Sequence, residues 1–574
     1  MRRASRTLAG TTLILVTLLA NSGLTQPAAP VAKPDEGIPV TDQTVQKACG
    51  SCHRPDEKNQ LSRISFQRNT PEGWQTIIQR MVSLNGLQID PQTARQVVKY
   101  LSNNHGLAPE EAKPAAFEAE RRPIDYKYTA NADAETVCTK CHSMGRVISQ
   151  RRTKSEWDLL IAMHRGWYPL VDGQAFRRTG SPPRDPSPDG RPPDLRQPVE
   201  KALDHLARTF QLKTPEWSAW SATMRPARLE GTWRLMGSQP GKGAIYGKVV
   251  IARDANVPDE FTTAITYRIA RTGETVTRAG RSIIYTGFQW RGRSTQGTDD
   301  ATSLREVMFV DRDWRSIEGR WFAGGYDELG MDVFLQRSGN EVRVLGSDRT
   351  ALKLGVGGQE LKIYGLNLPA ALKPADVDLG PGLTVSRVVS VTPELATVVV
   401  DVAPTATIGS RDLVIAGSAP RPAALAVFDR IDSIKVKPDW AMARVGGVTF
   451  PKMLAQFEAW GYQNGPDGKP DTADDINLGM VDATWSMEEY TATYDDDDIK
   501  FVGRLNEATG QFTPSSEGPN PDRKGSRNNV GDVWVVAKYN ADAGSGKPAT
   551  TLKARAHLLV TVPLYMRFDP TVSQ

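Results

Sequence analysis

The feature that most constrains this chain is a five-residue run that occurs twice, Cys49-Gly50-Ser51-Cys52-His53 and Cys138-Thr139-Lys140-Cys141-His142. The chain has 574 residues and four cysteines, and the two runs use all four. C-x-x-C-H is the attachment pattern of c-type haem. Its thiols reach the two vinyl groups of one porphyrin, and the adjacent histidine meets the iron from the same side. Two disulfides would leave both histidines unexplained. A thioredoxin-like redox pair fails on the same ground, and no βαβ pattern surrounds either run. Zinc needs more nitrogen or sulfur ligands than these short loops supply. The expectation is two covalently bound haem c groups. Cys49, Cys52, Cys138 and Cys141 would attach them, with His53 and His142 as proximal ligands.

The N-terminus reads as an export signal. Arg2, Arg3 and Arg6 precede the apolar run Leu13 to Ala20, and Ala20 and Ser22 have the spacing of a signal-peptidase site. Residues 1–22 are therefore expected to be removed on export. The run is shorter than the roughly 20 apolar residues that span a bilayer, and no later stretch is long enough. Lys and Arg total 71 against 66 Asp and Glu, too even a balance for a nucleic-acid binder.

An internal repeat surrounds the two runs and nominates the sixth ligands. After the first comes Gly73-Trp74-Gln75-Thr76-Ile77-Ile78-Gln79-Arg80-Met81. After the second comes Glu156-Trp157-Asp158-Leu159-Leu160-Ile161-Ala162-Met163-His164. Each has a tryptophan, an apolar pair three and four positions on, and a metal-competent side chain at the seventh. Positions seven apart share a helix face. Met81 and His164 are thus the expected sixth ligands, thioether and imidazole both being axial haem ligands. The competing readings are a core methionine at Met81, and ligation by Met163 beside an exposed His164. Val97-Val98-Lys99-Tyr100-Leu101 echoes Ala202-Leu203-Asp204-His205-Leu206 as a closing helix in each half. His105 and His205 have no histidine counterpart in the repeat and rank behind as ligands. His557 lies in an apolar strand with no partner evident in sequence. The second half carries a proline-rich insertion from Ser181 to Pro198, expected to be an extended loop. A diheme cytochrome c domain of two tandem halves is expected over 36–224, with all its ligands local to a fragment ending near Met224.

Beyond Met224 the texture changes to short runs of alternating apolar and polar residues separated by turns. Seven such runs lie between Gly231 and Leu335, as expected of an antiparallel β-barrel-like domain over 225–346. Further short runs predict an immunoglobulin-like sandwich over 350–425 and a second over 431–574. With 39% hydrophobic residues the chain has the material for these cores, and 49 Gly and 39 Pro suit turn-rich β-domains. The fold class is therefore multidomain, α-helical at the N-terminus and all-β beyond it. The acidic segment Asp467 to Asp475 invites a calcium reading, but it lacks the EF-hand order and its closing glutamate. A solvated turn is expected there, and an exposed loop at Asp495 to Asp498.

The diheme region with its W-x6-M and W-x6-H repeat, then Gly231-Thr232-Trp233, then two immunoglobulin-like units resembles the alpha subunit of quinohemoprotein amine dehydrogenase. The resemblance covers essentially the whole mature chain. It implies a diheme cytochrome c domain followed by three β-domains, assembled with a β-propeller subunit and a small subunit bearing cysteine tryptophylquinone. It also implies periplasmic oxidation of primary amines to aldehydes and ammonia, with electrons leaving through the haems to a soluble acceptor, a small copper protein or cytochrome c. With all four cysteines holding haem, the quinone and the amine site belong on another subunit. A diheme carrier or docking subunit for a different periplasmic dehydrogenase is the alternative reading. A diheme peroxidase is a third, and it would want an open sixth position on one iron.

Overall fold

A threonine starts the helix that carries the repeated tryptophan in each N-terminal half. Thr70 Oγ1 accepts the Gly73 amide at 3.2 Å, and Thr153 Oγ1 accepts the Glu156 amide at 3.3 Å, bonds that satisfy otherwise free donors in the first turn. In the computed structural model the first half runs α1 (Gln43–Cys49), β1 (Gln67–Asn69), α2 (Pro71–Asn85) and α3 (Pro91–Asn104). A single turn, α4 (Pro109–Ala112), leads out of it. The second half repeats the order with α5 (Ala132–Cys138), α6 (Gly145–Ile148), β2 (Gln150–Arg152), α7 (Lys154–Trp167) and α8 (Pro198–Thr209). The structure describes residues 36–116, 128–181, 190, 192–323, 329–490, 496–541 and 550–563. The signal segment 1–22 and half of the proline-rich insertion, residues 182–189 and 191, lie outside them. The described residues from Gly37 onward form one unit.

The repeat extends to individual hydrogen bonds. Trp74 Nε1 donates to His105 O at 3.0 Å, and Trp157 Nε1 donates to Phe210 O at 3.3 Å. Both acceptors cap the closing helices α3 and α8, so each tryptophan pins its own helix, α2 or α7, to the end of the closing one. β1 and β2 pair antiparallel, with Arg68 opposite Arg151.

After α9 (Pro215–Thr223), eight antiparallel strands close a barrel in the order β10-β3-β4-β5-β6-β7-β8-β9. They are β3 (Gly231–Gln239), β4 (Gly243–Arg253), β5 (Glu260–Ile269), β6 (Thr275–Tyr285), β7 (Gln289–Gln296), β8 (Asp299–Val310), β9 (Ser316–Phe322) and β10 (Met331–Arg337). Trp233, Trp290 and Trp321 fill its interior together with Phe261 and Tyr267. Leu107, Ala108, Trp217 and Trp220 belong to the same core, so α9 and the segment around α4 pack onto the barrel. Closure leaves no free sheet edge in this domain.

One sequence expectation is corrected here. Arg343–Ser347, within the expected barrel span, pairs with Gln359–Leu366 and so belongs to the following unit. The N-terminal helical region also packs against the barrel. Ile283 and Tyr285 of β6 pack into the core around Trp74 and Val97, and the Arg291 guanidinium donates to the Glu72 carboxylate of α2. A fragment ending near Met224 would lack those barrel side chains.

The third unit places two four-stranded sheets around one core that includes Leu361, Val398, Val400, Leu413 and Val427. The last unit has sheets of three, four and three strands around Phe457, Trp485, Phe512 and Leu558. The acidic segment after Gln463 links two strands, and its carboxylates are spent locally. Asp471 Oδ1 lies 2.7 Å from Lys435 Nζ, while Asp467 Oδ1 accepts the Lys469 amide at 2.8 Å. The expectation of exposure at Asp495 to Asp498 fails for Asp498. That carboxylate is buried because the Arg523 guanidinium donates to it and the Asp532 amide lies 2.9 Å from its second oxygen. His557 also has a partner, its Nε2 lying 3.0 Å from Asp532 Oδ2 with the Tyr490 ring stacked at 4.2 Å. Among the described residues no helix is long and apolar enough to cross a membrane.

Candidate haem-binding site

Cys49 ends α1 and Cys138 ends α5, so each C-x-x-C-H run begins where a helix stops. The chain then turns tightly, with the Cys52 and His53 amides both donating to Cys49 O, at 3.3 and 2.9 Å. None of the four cysteines is in a disulfide; Cys49 and Cys138 are half-buried, whereas Cys52 and Cys141 are exposed. Burial pushes the Cys138 thiol up to about 12 and the Cys49 thiol up to about 11, the nearby Cys52 adding to the latter. Apolar surroundings of that kind suit attachment to a porphyrin edge.

The histidines of the two runs present one nitrogen each. His53 Nδ1 is bonded to Ser62 O at 2.9 Å, and His142 Nδ1 to Ser143 O at 2.9 Å. On α7, His164 Nδ1 is bonded to Leu160 O at 2.7 Å. A carbonyl on Nδ1 places the proton there and leaves the Nε2 lone pair free, the tautomer a metal ligand needs. Burial holds all three imidazoles below the usual histidine range, His142 at about 4 with the charges of Arg146, His164 and Arg80 assisting. They are neutral at neutral pH.

His142 and His164 come from different elements, yet their ring centroids lie 6.4 Å apart with planes at 47°. Two metal–nitrogen bonds of about 2 Å in line, with each nitrogen about 1 Å from its ring centre, require a separation of about 6 Å. The second pair therefore fits an iron held between two imidazoles. Tyr168 and Phe176 stand beside His164, each at 6.2 Å between ring centroids. Sequence reasoning missed both, since neither has a counterpart in the repeat.

Met81 lies two turns beyond Trp74 on α2 and is half-buried. The other histidine of that half, His105, is fully buried under Trp74 with Nε2 bonded to Ile38 O at 3.2 Å. It is spent in the core. His205 is likewise engaged, its Nε2 lying 2.7 Å from the Tyr128 hydroxyl. Val82, Leu84, Leu159, Trp167 and Leu170 leave large apolar side chains exposed on and just beyond α2 and α7. An extended apolar ring system is what such faces accommodate, so the residues present fit a haem in each half.

Family models match nearly the whole chain beyond the N-terminus. The haem-binding region of the quinohemoprotein amine dehydrogenase alpha subunit matches residues 40–181, and its domains II, III and IV match 226–338, 341–429 and 434–571. The chain belongs to this family. A quinohemoprotein amine dehydrogenase alpha subunit is thus a haem-binding domain followed by three β-domains, and it is one subunit of an amine dehydrogenase complex. No curated protein matches the chain. Among solved structures, a redesigned β-barrel is 15% identical and covers 20% of this chain and 98% of its own, with a TM-score of 0.18. A three-repeat fragment of protocadherin gamma C5 is 11% identical and covers 48% of this chain and 76% of its own, with a TM-score of 0.16. Likenesses so low carry nothing about function.

Proposed function

We propose that this chain is the electron-carrying subunit of a periplasmic quinohemoprotein amine dehydrogenase, exported by residues 1–22. Cys49 and Cys52 would hold one haem c by thioethers, with His53 and Met81 on its two faces. Cys138 and Cys141 would hold the second, with His142 and His164. Bound there, the haems supply one-electron transfer, which is the chemistry a quinone subunit needs to be reoxidised after taking electrons from a primary amine. The protein's part is positional. Ser62, Ser143 and Leu160 carbonyls fix the three imidazoles as Nε2 ligands, and Trp74 and Trp157 hold α2 and α7 against the closing helices.

The single observation that carries the reading is the opposed His142 and His164 pair. It favours electron transfer over a diheme peroxidase, whose second iron would need a displaceable face where His164 stands. All four cysteines belong to attachment runs, so the cysteine tryptophylquinone belongs on a small partner subunit. The β-propeller subunit is the other partner, and a small copper protein or cytochrome c takes the electrons onward. The two C-terminal units, read as immunoglobulin-like sandwiches, and the barrel form the scaffold to which those subunits attach. Affinity purification of the exported chain with its co-expressed neighbours tests this. The expected result is a complex that contains a thioether-cross-linked quinone subunit and whose haems are reduced on addition of a primary amine. A complex without the quinone subunit, with haems unmoved by amine, overturns it in favour of a carrier for another dehydrogenase.

A further inference from the structure

Arg80 belongs to the first half by sequence but faces the second by structure. It sits on α2 next to Met81, and its guanidinium carbon lies 5.6 Å from the centre of the Trp167 ring at the end of α7. Among the described residues no carboxylate or carbonyl accepts a hydrogen bond from this half-buried guanidinium. Neighbouring arginines differ. Arg68 and Arg151 share Glu111, and Arg152 has Glu156 Oε2 at 3.6 Å and Gln150 Oε1 at 2.7 Å. Trp167 lies three residues past His164 on α7, so the guanidinium stands beside the helix that carries an imidazole of the second pair. The repeat aligns Arg80 with Met163, each six residues after its tryptophan. The second half thus carries no cation at the equivalent position.

We propose that Arg80 is an electrostatic positioning residue for the second haem, its uncompensated positive charge favouring the reduced state of the iron between His142 and His164. The proposal rests on the bis-imidazole reading of that pair. A cation in surroundings of reduced dielectric stabilises whichever redox state carries one positive charge fewer, which is the ferrous state. Bis-imidazole ligation gives a lower potential than imidazole–thioether ligation. A fixed cation beside the second centre narrows that gap and makes an electron easier to receive there. Because Arg80 is anchored one residue from Met81, the element that carries a ligand of one haem also tunes the other.

The test is a spectroelectrochemical titration of the purified holo-protein, with electron paramagnetic resonance to identify each haem by its ligands. In Arg80→Gln the midpoint potential of the bis-imidazole haem is expected to move negative, with the sulfur-ligated haem moving less and keeping its charge-transfer band. Arg80→Lys, which preserves the charge, is expected to restore most of the potential; a merely structural arginine would not be rescued in this way. Should Arg80→Gln fail to load haem, Trp167→Leu removes the ring under the guanidinium and should shift the same potential in the same direction by less. An unchanged potential in a variant that retains its bis-imidazole signature overturns the proposal. A wild-type spectrum with no bis-imidazole signature overturns the ligand assignment, and the proposal with it.

Discussion

Arg68 and Arg151 stand opposite each other in the short ladder that joins the two halves, and both close on one carboxylate, Glu111. Arg68 is fully buried, with Nη1 and Nη2 donating to Glu111 at 2.7 and 2.9 Å and Nε donating to Leu212 O at 2.6 Å. Thr214 Oγ1 adds a bond to Glu111 Oε1 at 2.8 Å. One glutamate on the linker turn thus ties together a strand from each half and the start of α9.

Glu111→Gln is therefore expected to loosen the whole N-terminal region. Removing one partner of a buried ionic cluster typically costs about 3–5 kcal/mol, because the remaining charge stays buried and unpaired. Burial alone would raise the Glu111 carboxyl, but Arg68 and Arg151 outweigh it and hold it below the usual range. A depressed carboxyl contributes stability in full above its unfolded value, near 4.5, and loses it as pH falls through the folded value. Denaturant melts at stepped pH should show an acid-side loss in the wild type that is weaker in the variant. Equal acid sensitivity in both would exclude Glu111 as its source.

Haem content gives the most direct check on the two attachment runs. The denatured mature protein should retain two haems bound through thioethers, as judged by a pyridine hemochrome assay. Cys141→Ala should weaken or abolish attachment at the second run and leave the first. One haem or none in the wild type would contradict the assignment.

What was legible in sequence had a period or a fixed spacing. The repeat placed Trp74 and Trp157 on equivalent helices because helix faces recur every seven residues, and the structure pairs both indoles with equivalent carbonyls. Seven barrel strands announced themselves by alternation. The eighth, β7, did not, since its inward positions Trp290, Gly292 and Ser294 include two residues too small to mark a hydrophobic face. A Cβ at Gly292 would come within 2.6 Å of Glu306 Oε2, so this strand is small on one face to make room for a buried carboxylate. Long-range partners were illegible for the same reason everywhere. Nothing local links Arg68 to Glu111, Asp532 to His557, or Arg80 to Trp167, because each pair is joined only once the chain has folded.

Glu306 should show the opposite pH behaviour to Glu111. It lies 2% exposed within the barrel, where Oε2 accepts from Trp290 Nε1 at 2.9 Å and Oε1 has no partner among the described residues. Burial raises its carboxyl above the usual range despite Trp290, Ser294 and Arg278. The folded state then holds the proton more tightly, so stability is highest below the unfolded value and falls as pH rises toward the folded one. Glu306→Gln keeps an acceptor for the indole without the buried charge. It is expected to stabilise the protein at neutral pH by about 1 kcal/mol, read as a higher thermal midpoint that no longer depends on pH in the weakly acidic range. A lower midpoint would mean that the charge itself is needed, with Arg278 as its partner.

Axial ligation is where sequence repeat and structure meet most closely. Met81 and His164 occupy equivalent positions after Trp74 and Trp157, and the His142 ring faces His164 across 6.4 Å. The oxidised protein should show a near-infrared sulfur-to-iron charge-transfer band from the haem held by His53 and Met81. Met81→His should remove that band, leave the iron low-spin, and lower that haem's potential, since thioether ligation favours the reduced iron. His164→Ala should act on the other haem alone, opening its iron to cyanide or carbon monoxide. Met163 is the neighbour that could take its place, but it sits one residue earlier, about 100° around the helix. Its sulfur therefore leaves from a different face than the His164 ring, whose Nδ1 is anchored to Leu160 O. If His164→Ala stays six-coordinate and gains a second sulfur charge-transfer band, Met163 is the ligand and the repeat-based alignment is wrong at that position.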